Sequence, residues 1–143
     1  MDKSLNKLKV LFLCTGNSCR SQMAEAIVNA NMNEDWQAFS AGTKPAGAVH
    51  PYAIQALAEI GIRHVGRSKH LDEYRQTRFD QVVTVCDEAA EECPLWLGTV
   101  RRIDLGFPDP AKVTGTEDEI MRAFRNVRDD IANRIPLVLN DIY

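Results

Sequence analysis

Two features are absent from this chain: a long run of basic residues and a long run of apolar ones. The 17 Lys and Arg are outnumbered by 20 Asp and Glu, which gives a formal net charge of −3 and argues against a nucleic-acid partner. No apolar stretch approaches the roughly 18–20 residues of a membrane span, and the run from Val10 to Leu13 is too short for the core of a signal peptide. A cytoplasmic protein without a membrane partner is therefore expected.

Internal repeats and low-complexity segments are lacking as well. The 143 residues suit one domain with a two- or three-layer core, so we expect residues 1–143 to form a single domain, as a monomer. Histidine is scarce: His50, His64 and His70 have no metal-ligand spacing, and none of them is assigned a role.

Cysteine is scarce too, and its four copies fall into two pairs, Cys14 with Cys19 and Cys86 with Cys93. In a reducing compartment such thiols are more often catalytic or metal-binding than disulfide-bonded. The intervening stretches of four and six residues are looser than in a usual zinc knuckle. A zinc site is therefore disfavoured, and no metal is expected.

Apolar strand patterns alternate with helical patterns along the chain. Strands are predicted at about 8–13, 36–40, 79–85 and 100–105, and helices at about 20–31, 51–60 and 71–78 and from Thr116 onward. Such alternation indicates an α/β fold with three layers, in which a four-stranded parallel sheet carries helices on both faces.

Two of these helices carry clear end signals. Pro51 opens the second helix and Gly61 stops it, whereas Thr116 with Glu119 forms a capping box for the last one. Pro136 is expected to kink or end that last helix. The side chains expected to share one face are Ile54, Leu57, Ala58 and Ile60 in the second helix, and Ile120, Phe124, Val127, Ile131 and Ile135 in the last.

The segment between the first strand and the first helix carries the chemistry. It places one thiol, Cys14, six positions before one guanidinium, Arg20. Loop N–H groups and the helix N-terminus attract an oxyanion, Arg20 can bind two of its oxygens, and the same field favours the nucleophilic thiolate of Cys14. The residues predicted to bind the oxyanion are Thr15, Gly16, Asn17, Ser18, Cys19, Arg20 and Ser21.

Three residues that are far apart in sequence are expected at one edge of the sheet. Cys14 follows the first strand, Cys86 the third and Asp109 the fourth, and ligands of parallel sheets bind beyond the C-terminal strand ends. Asp109 is the candidate general acid that gives a proton to the leaving oxygen. The alternatives are that Cys14 is only a small buried hydrophobe and that Asp109 is a solvated turn residue.

The second cysteine pair separates a phosphatase from a redox enzyme. Cys86 and Cys93 flank an acidic segment that favours a helix. Seven helical residues span about 10.5 Å, whereas the Cα atoms of a disulfide lie within about 7 Å. A Cys86–Cys93 disulfide would therefore require this helix to unwind. The alternative is that Cys93 forms no disulfide and is simply a buried residue before Pro94.

Several segments carry a resemblance to a known family: residues 14–25, 40–42, 82–86, 93–94 and 108–110. Together they resemble the arsenate reductases built on the low-molecular-weight tyrosine phosphatase fold, with a phosphate-binding loop after strand one. The placement of the cysteines resembles the thioredoxin-coupled branch, and the similarity covers almost the whole chain.

The resemblance implies a relay of thiols. Cys14 attacks arsenate while Asp109 assists the departure of a hydroxyl. Cys86 then attacks the Cys14 sulfur, arsenite leaves, and Cys93 attacks Cys86 to give a disulfide that thioredoxin, the external reductant, reduces. A glutaredoxin system is the alternative reductant, and phosphate or sulfate would compete with arsenate.

The resemblance also implies roles for residues around the nucleophile. The residue matching Ser21 bonds the nucleophilic sulfur, and the one matching Asn17 holds the loop in shape, while Cys19 is structural. Relatives can bind potassium through residues that match Asn17, Glu25 and Ser40, but the fourth ligand, a carboxylate, falls near Lys69-His70 here. A hydrogen-bond network without an ion, and no bound cofactor, is therefore expected.

Two other functions stay open. A low-molecular-weight protein tyrosine phosphatase would act through a Cys14 phosphoenzyme with Arg20 and Asp109, without the second cysteine pair. Those phosphatases usually carry an aromatic pair where Ala111-Lys112 stands here, so phosphate-ester hydrolysis is expected only as a weak side activity. A thiol-based oxyanion sensor is disfavoured because sensing does not need a general acid.

Overall fold

The computed structural model describes residues 7–86 and 101–140. The sheet in this part of the chain has four parallel strands in the order β2-β1-β3-β4, which confirms the predicted fold class. The strands are β1 (Leu8–Cys14), β2 (Trp36–Gly42), β3 (Gln81–Thr84) and β4 (Arg102–Asp104). β2 runs two residues beyond its predicted end, and β3 is shorter than predicted at both ends.

β1 lies in the middle of the sheet, as its composition requires. Residues 10–13 are fully buried, which is typical of a parallel strand that is covered on both faces. The register pairs Cys14, at the carboxyl end of β1, with Gly42 of β2, and β3 pairs along the other side of β1. The carboxyl ends of these three strands therefore meet at one edge.

Three helices pack against one another, and the first of them lies on β1 and β2 of the sheet. They are α1 (Arg20–Asn31), α2 (Pro51–Glu59) and α3 (Glu117–Asn140). The Ser40 hydroxyl of β2 donates to Glu25 of α1, so the preceding residue, Phe39, points to the opposite face. There Phe39 meets Tyr74 edge to face, with ring centroids 5.5 Å apart. Both faces are therefore covered, which confirms the predicted three layers.

The last helix begins as predicted and continues past Pro136. The Glu119 N–H donates to Thr116 Oγ1 at 3.2 Å, and the Thr116 N–H donates to Glu119 Oε1 at 3.4 Å, which is the capping box. Pro136 does not stop α3, which continues to Asn140. Since Ile135 and Leu139 on either side of the proline are fully buried, packing holds the helix together through it.

The apolar face predicted for α2 is not its buried face, and the helix predicted at 71–78 was wrong. In α2 the buried side chains are Ala53, Ala56 and Leu57, whereas Ile54 and Ile60 are 39% and 42% exposed; close packing of α2 on α1 and α3 favours the small alanines. The helix predicted at 71–78 is a single 3-10 turn, Leu71–Tyr74.

Within residues 7–86 and 101–140, no helix combines the length and apolar character needed to cross a bilayer.

Candidate active site

Residues 14–20 form a tight loop between β1 and α1 whose carbonyl oxygens point outward. The oxygens of Cys14, Thr15, Gly16 and Ser18 accept the N–H groups of Thr43, Lys44, Ala46 and His50 at 2.8–3.3 Å. Because a peptide N–H points away from its carbonyl, the loop N–H groups turn inward and form an anion-binding concavity. The first turn of α1 carries no acidic residue, so the partial positive charge of the helix N-terminus adds to it.

Two other segments support this loop from outside. The Ser68 hydroxyl donates to Gly16 O at 2.9 Å. A Cβ atom at Gly42 would lie 2.5 Å from Thr15 O, so the end of β2 can approach the loop this closely only as glycine.

A cavity of about 230 Å³ opens in front of the loop. Its lining residues are Cys14, Gly16, Ser18, Cys19, Arg20, Ala46, Asp109 and Ala111. The structure thus brings the predicted nucleophile, guanidinium and general acid to one cavity, although Asp109 is far from the loop in sequence.

Arg20 joins the loop to the segment that follows β4. Its Nη1 donates to Phe107 O at 3.0 Å, and its Nη2 lies 3.6 Å from Asp109 Oδ2. Within the described residues, Arg20 Nε is buried without a hydrogen-bond partner. The Arg20 guanidinium is therefore fixed in position and keeps an unused donor beside the cavity, which suits the binding of an oxyanion.

The surroundings of Cys14 favour its thiolate. A hydrogen bond from Cys86 is the largest influence on its pKa, which is lowered to about 6 although burial of the thiol acts in the opposite direction. The Arg20 charge and hydrogen bonds from the Asn17 N–H and the Ser21 hydroxyl lower the pKa further. At neutral pH Cys14 is therefore mainly a thiolate, the nucleophilic form.

Asp109 is held in the cavity by its own turn. Its Oδ1 accepts the Ala111 N–H at 3.0 Å, and its Oδ2 faces Arg20. Only 23% of its side chain is exposed, so it is not the freely solvated turn residue of the alternative interpretation. A carboxylate in the same cavity as the thiolate can exchange a proton with a bound oxyanion.

Cys86 lies just beyond β3, and it is brought to the loop because β3 pairs directly with β1. Its Sγ lies 3.4 Å from Thr15 Oγ1, and its thiol is hydrogen-bonded to that of Cys14. A second sulfur therefore stands beside the nucleophile. Cys93, Pro94 and the acidic segment before them lie outside the described residues.

Cys19 has the opposite acidity. Burial raises the pKa of its thiol to about 11, and the Asp109 carboxylate acts in the same direction. Cys19 therefore stays protonated at neutral pH, which makes it a poor nucleophile.

Asn17 lies within the loop and has a left-handed backbone with φ of 49°. Its Nδ2 donates to Ser21 Oγ at 2.8 Å. Its Oδ1 accepts from the Lys69 N–H and from Gln22 Nε2, both at 3.0 Å. These bonds fix a strained conformation that would otherwise relax.

Lys69 places a buried cation behind the loop. Its Nζ lies 3.1 Å from Arg67 O, 3.4 Å from Ser40 Oγ and 3.9 Å from Glu25 Oε1. Burial raises the pKa of Glu25 and lowers that of Lys69, and each charge opposes the shift of the other. The ammonium thus stands beside two of the residues that match potassium ligands in relatives. In the described part of the chain, no group of three or more His, Cys, Asp or Glu is placed to hold a metal ion.

Sequence reasoning missed several members of this site. The histidines have no metal-ligand spacing, but His50 Nδ1 accepts the Tyr52 N–H and so caps α2, and His64 Nε2 lies 2.7 Å from Gln22 Oε1. The sequence also does not predict the buried position of Lys69. The residues at 64 and 69 belong to an irregular segment without periodicity, so the sequence offered no signal for their position.

A strand, an anion-binding loop and a helix, with a thiolate at the carboxyl edge of a parallel sheet, define a cysteine-dependent α/β enzyme of the phosphatase type. Residues 9–142 match the family described as low molecular weight phosphotyrosine protein phosphatase. The chain belongs to this family.

Similar proteins share nearly the full length of the chain. A protein named arsenate reductase from Halalkalibacterium halodurans is 44% identical over 132 residues, which are 92% of this chain and 94% of the relative. An arsenate reductase from Bacillus subtilis is 42% identical over 91% of this chain and 93% of its own. A solved structure described as an arsenate reductase in the phosphate binding state has a TM-score of 0.75 at 26% identity, over 95% of this chain and 99% of that one.

Proposed function

We propose that this protein reduces arsenate to arsenite. The observation that carries the proposal is a second sulfur beside the nucleophile: a hydrogen bond from Cys86 is the main cause that lowers the pKa of Cys14 to about 6, and Cys86 Sγ lies 3.4 Å from Thr15 Oγ1 of the loop. A phosphatase needs only the Cys14 thiol, whereas a reductase needs a second thiol to supply electrons. The relatives named arsenate reductase support the same substrate.

In the first proposed step, the Cys14 thiolate attacks arsenic while Arg20 and the loop N–H groups hold the arsenate oxygens. A sulfur–arsenic bond forms and one arsenic–oxygen bond breaks. The departing oxygen leaves as water after it receives a proton through Asp109. Arsenic is still pentavalent at this stage.

In the second step, Cys86 loses its proton and attacks the Cys14 sulfur. A Cys14–Cys86 disulfide forms, the sulfur–arsenic bond breaks, and its electron pair goes to arsenic, which leaves as trivalent arsenite. Two thiols are oxidised and one arsenic is reduced by two electrons, so the step balances.

In the third step, Cys93 attacks Cys86 and releases Cys14 as a thiolate. We infer that thioredoxin then reduces the Cys86–Cys93 disulfide by dithiol exchange, since an intramolecular disulfide is a suitable substrate for a dithiol reductant. The cycle converts arsenate and one external dithiol into arsenite, water and one external disulfide.

The cavity favours a small oxyanion over an aryl phosphate. Its side walls include Ala46 and Ala111, and no aromatic side chain is among its lining residues in the described part of the chain. An aryl ring would therefore lack a stacking partner there. Phosphatase activity is the second candidate function, because Cys14, Arg20 and Asp109 would also serve phosphate-ester hydrolysis.

The test is arsenate-dependent NADPH oxidation with thioredoxin and thioredoxin reductase supplied. Turnover should be lost in Cys14→Ser, Cys86→Ser and Cys93→Ser, and it should persist in Cys19→Ser, which changes a protonated thiol and leaves the loop N–H groups in place. A parallel assay with glutaredoxin and glutathione identifies the reductant. Absence of arsenate turnover, together with phosphate-ester hydrolysis that depends only on Cys14, would instead make the protein a phosphatase.

A further inference from the structure

We propose that His64 is a positioning residue for the Cys14 thiolate. It acts through a one-way series of hydrogen bonds that passes along Gln22, Asn17 and Ser21. The proposal rests on the thiolate role of Cys14 given above, and it adds a residue that lies in a different segment and does not line the cavity.

The direction of the series is fixed at Gln22, whose side chain is fully buried. Its Nε2 lies 3.0 Å from Asn17 Oδ1, 3.2 Å from Asn17 O and 2.9 Å from Arg67 O. All three neighbours are acceptors, so this end of the amide must be the donor. The other end, Oε1, lies 2.7 Å from His64 Nε2, and His64 must therefore carry a proton on Nε2.

The same logic continues toward the sulfur. Because Asn17 Oδ1 is occupied by two donors, Asn17 Nδ2 points at Ser21 Oγ and donates to it at 2.8 Å. Ser21 Oγ accepts that bond, so its own proton remains for donation, and a hydrogen bond from this hydroxyl lowers the pKa of Cys14. Each donor in the series thus fixes which side-chain atom of the next residue accepts and which donates.

The backbone at Gly66 packs closely against the side chains of His64 and Gln22. A Cβ atom at Gly66 would clash with His64 Nε2 and would lie 2.5 Å from Gln22 Oε1, so only glycine fits at this position. An aliphatic side chain in place of the imidazole would leave the buried Gln22 Oε1 without its donor. The strained backbone of Asn17 would then be less firmly held, and the Ser21 donation to sulfur would weaken.

Two charged groups face His64, and the test must distinguish their effect from the effect of its hydrogen bond to Gln22. Glu25 Oε2 on α1 lies 4.0 Å from His64 Nε2, and the Lys69 ammonium acts on it from the following segment. Burial, together with Lys69, lowers the pKa of His64, so the imidazole is neutral at neutral pH. A neutral donor of similar reach, as in His64→Gln, should therefore replace it.

The test follows the alkylation of Cys14 by iodoacetamide against pH, with the modified Cys14 peptide quantified by mass spectrometry. Wild type and His64→Gln should share a midpoint, whereas His64→Leu should raise it by about one pH unit, the size expected for loss of one hydrogen bond to the thiolate form. The control is Arg63→Gln, which changes the exposed neighbour of His64 and should leave the midpoint unmoved.

An unchanged Cys14 midpoint in folded His64→Leu would overturn the proposal and leave His64 a merely structural residue. If His64→Leu does not fold, the ¹⁵N chemical shifts of the wild-type imidazole decide, because a proton on Nδ1 alone contradicts the series. The assay uses no arsenate. A wild-type midpoint near that of an ordinary thiol would therefore count against Cys14 as the nucleophile. A low midpoint that is unchanged in His64→Leu would count only against the proposed role of His64.

Discussion

At the scale of single residues, the two cysteines of the loop show how neighbours set the acidity of a thiol. Both are buried, and burial alone raises a thiol pKa. Cys14 receives hydrogen bonds and faces the Arg20 charge, and its pKa is about 6. Burial, reinforced by the Asp109 carboxylate, raises the pKa of Cys19 to about 11. Both thiols are buried, so the donors and the charge around Cys14, which overcome the effect of burial there, decide which sulfur reacts.

The first prediction is a pH profile for Cys14. Its alkylation rate should be flat above about pH 7 and fall about tenfold by pH 5, because only about one tenth of the thiol is then ionised. Folding lowers this pKa, so the thiolate stabilises the fold at pH values above the pKa of an unfolded cysteine, and this contribution is lost as the pH falls through about 6. A midpoint near 8.5, that of an ordinary cysteine, would contradict the assigned environment.

The second prediction concerns the shape of the Arg20 side chain. Arg20→Lys keeps the charge but removes the planar fork that joins Phe107 O to the anion. We expect kcat/KM for arsenate to fall about 10²–10³-fold, as when a transition-state donor is removed. The exposed Arg63 gives the matched control, since Arg63→Lys should be neutral; a loss below tenfold in Arg20→Lys would show that the positive charge alone suffices.

At the scale of elements, the ion pair of Glu25 and Lys69 joins α1 to the segment that leads into the Leu71–Tyr74 turn. Their side chains are only 15% and 8% exposed, and Ser40 of β2 hydrogen-bonds both. The pair thus fixes three elements directly behind the anion-binding loop. Buried ion pairs contribute little net stability, but breaking one is costly.

The third prediction follows from that asymmetry. Lys69→Met should lower the free energy of unfolding by about 3–5 kcal/mol, because it leaves the buried Glu25 carboxylate uncompensated. The double variant Lys69→Met/Glu25→Gln should recover much of this loss, as measured by urea unfolding. The control is Arg125→Met, which breaks an ion pair with Glu59 that is 41% and 33% exposed and should cost less than about 1 kcal/mol. A double variant no more stable than the single one would argue against the charge as the cause.

At the scale of the whole molecule, the proposed reaction depends on segments that only the sheet brings together. Cys14 ends β1, Cys86 follows β3 and Asp109 follows β4, and the order β2-β1-β3-β4 sets β3 directly beside β1. A sulfur after β3 can therefore reach the nucleophile, whereas the carboxylate after β4 reaches the cavity through its loop and the Arg20 contact.

The fourth prediction tests the separate roles proposed for the three cysteines. Cys93→Ser should allow one round of arsenate reduction and then stop with Cys14 and Cys86 in a disulfide, because no third thiol is left to release Cys14. A single-turnover assay of arsenite release measures the one round of reduction, and mass spectrometry identifies the disulfide in which the variant stops. Sustained turnover of Cys93→Ser with thioredoxin would exclude the relay.

Much of the fold could be predicted because its signals are local. The buried run of β1, the capping box of Thr116 and Glu119, and the loop between Cys14 and Arg20 each depend on neighbours in sequence. The local pattern is a weaker guide where packing decides: the helix predicted at 71–78 is only a 3-10 turn, Ile54 is exposed because alanines make the closer helix contact, and α3 continues through Pro136 because the turns around it are buried.

By itself the sequence determined the family fold, the anion-binding loop and the identities of its thiol and guanidinium, because strand, turn and helix signals are contiguous there. Only the tertiary structure decided which groups surround the thiolate. His64, Lys69 and Phe107 reach the site from irregular segments, and their roles depend on hydrogen-bond directions and burial, which have no periodic signature in the chain. The acidity that separates Cys14 from Cys19 likewise depends on Cys86 and Asp109, which are distant in sequence, because a charge or donor acts through distance in space and not through separation in sequence.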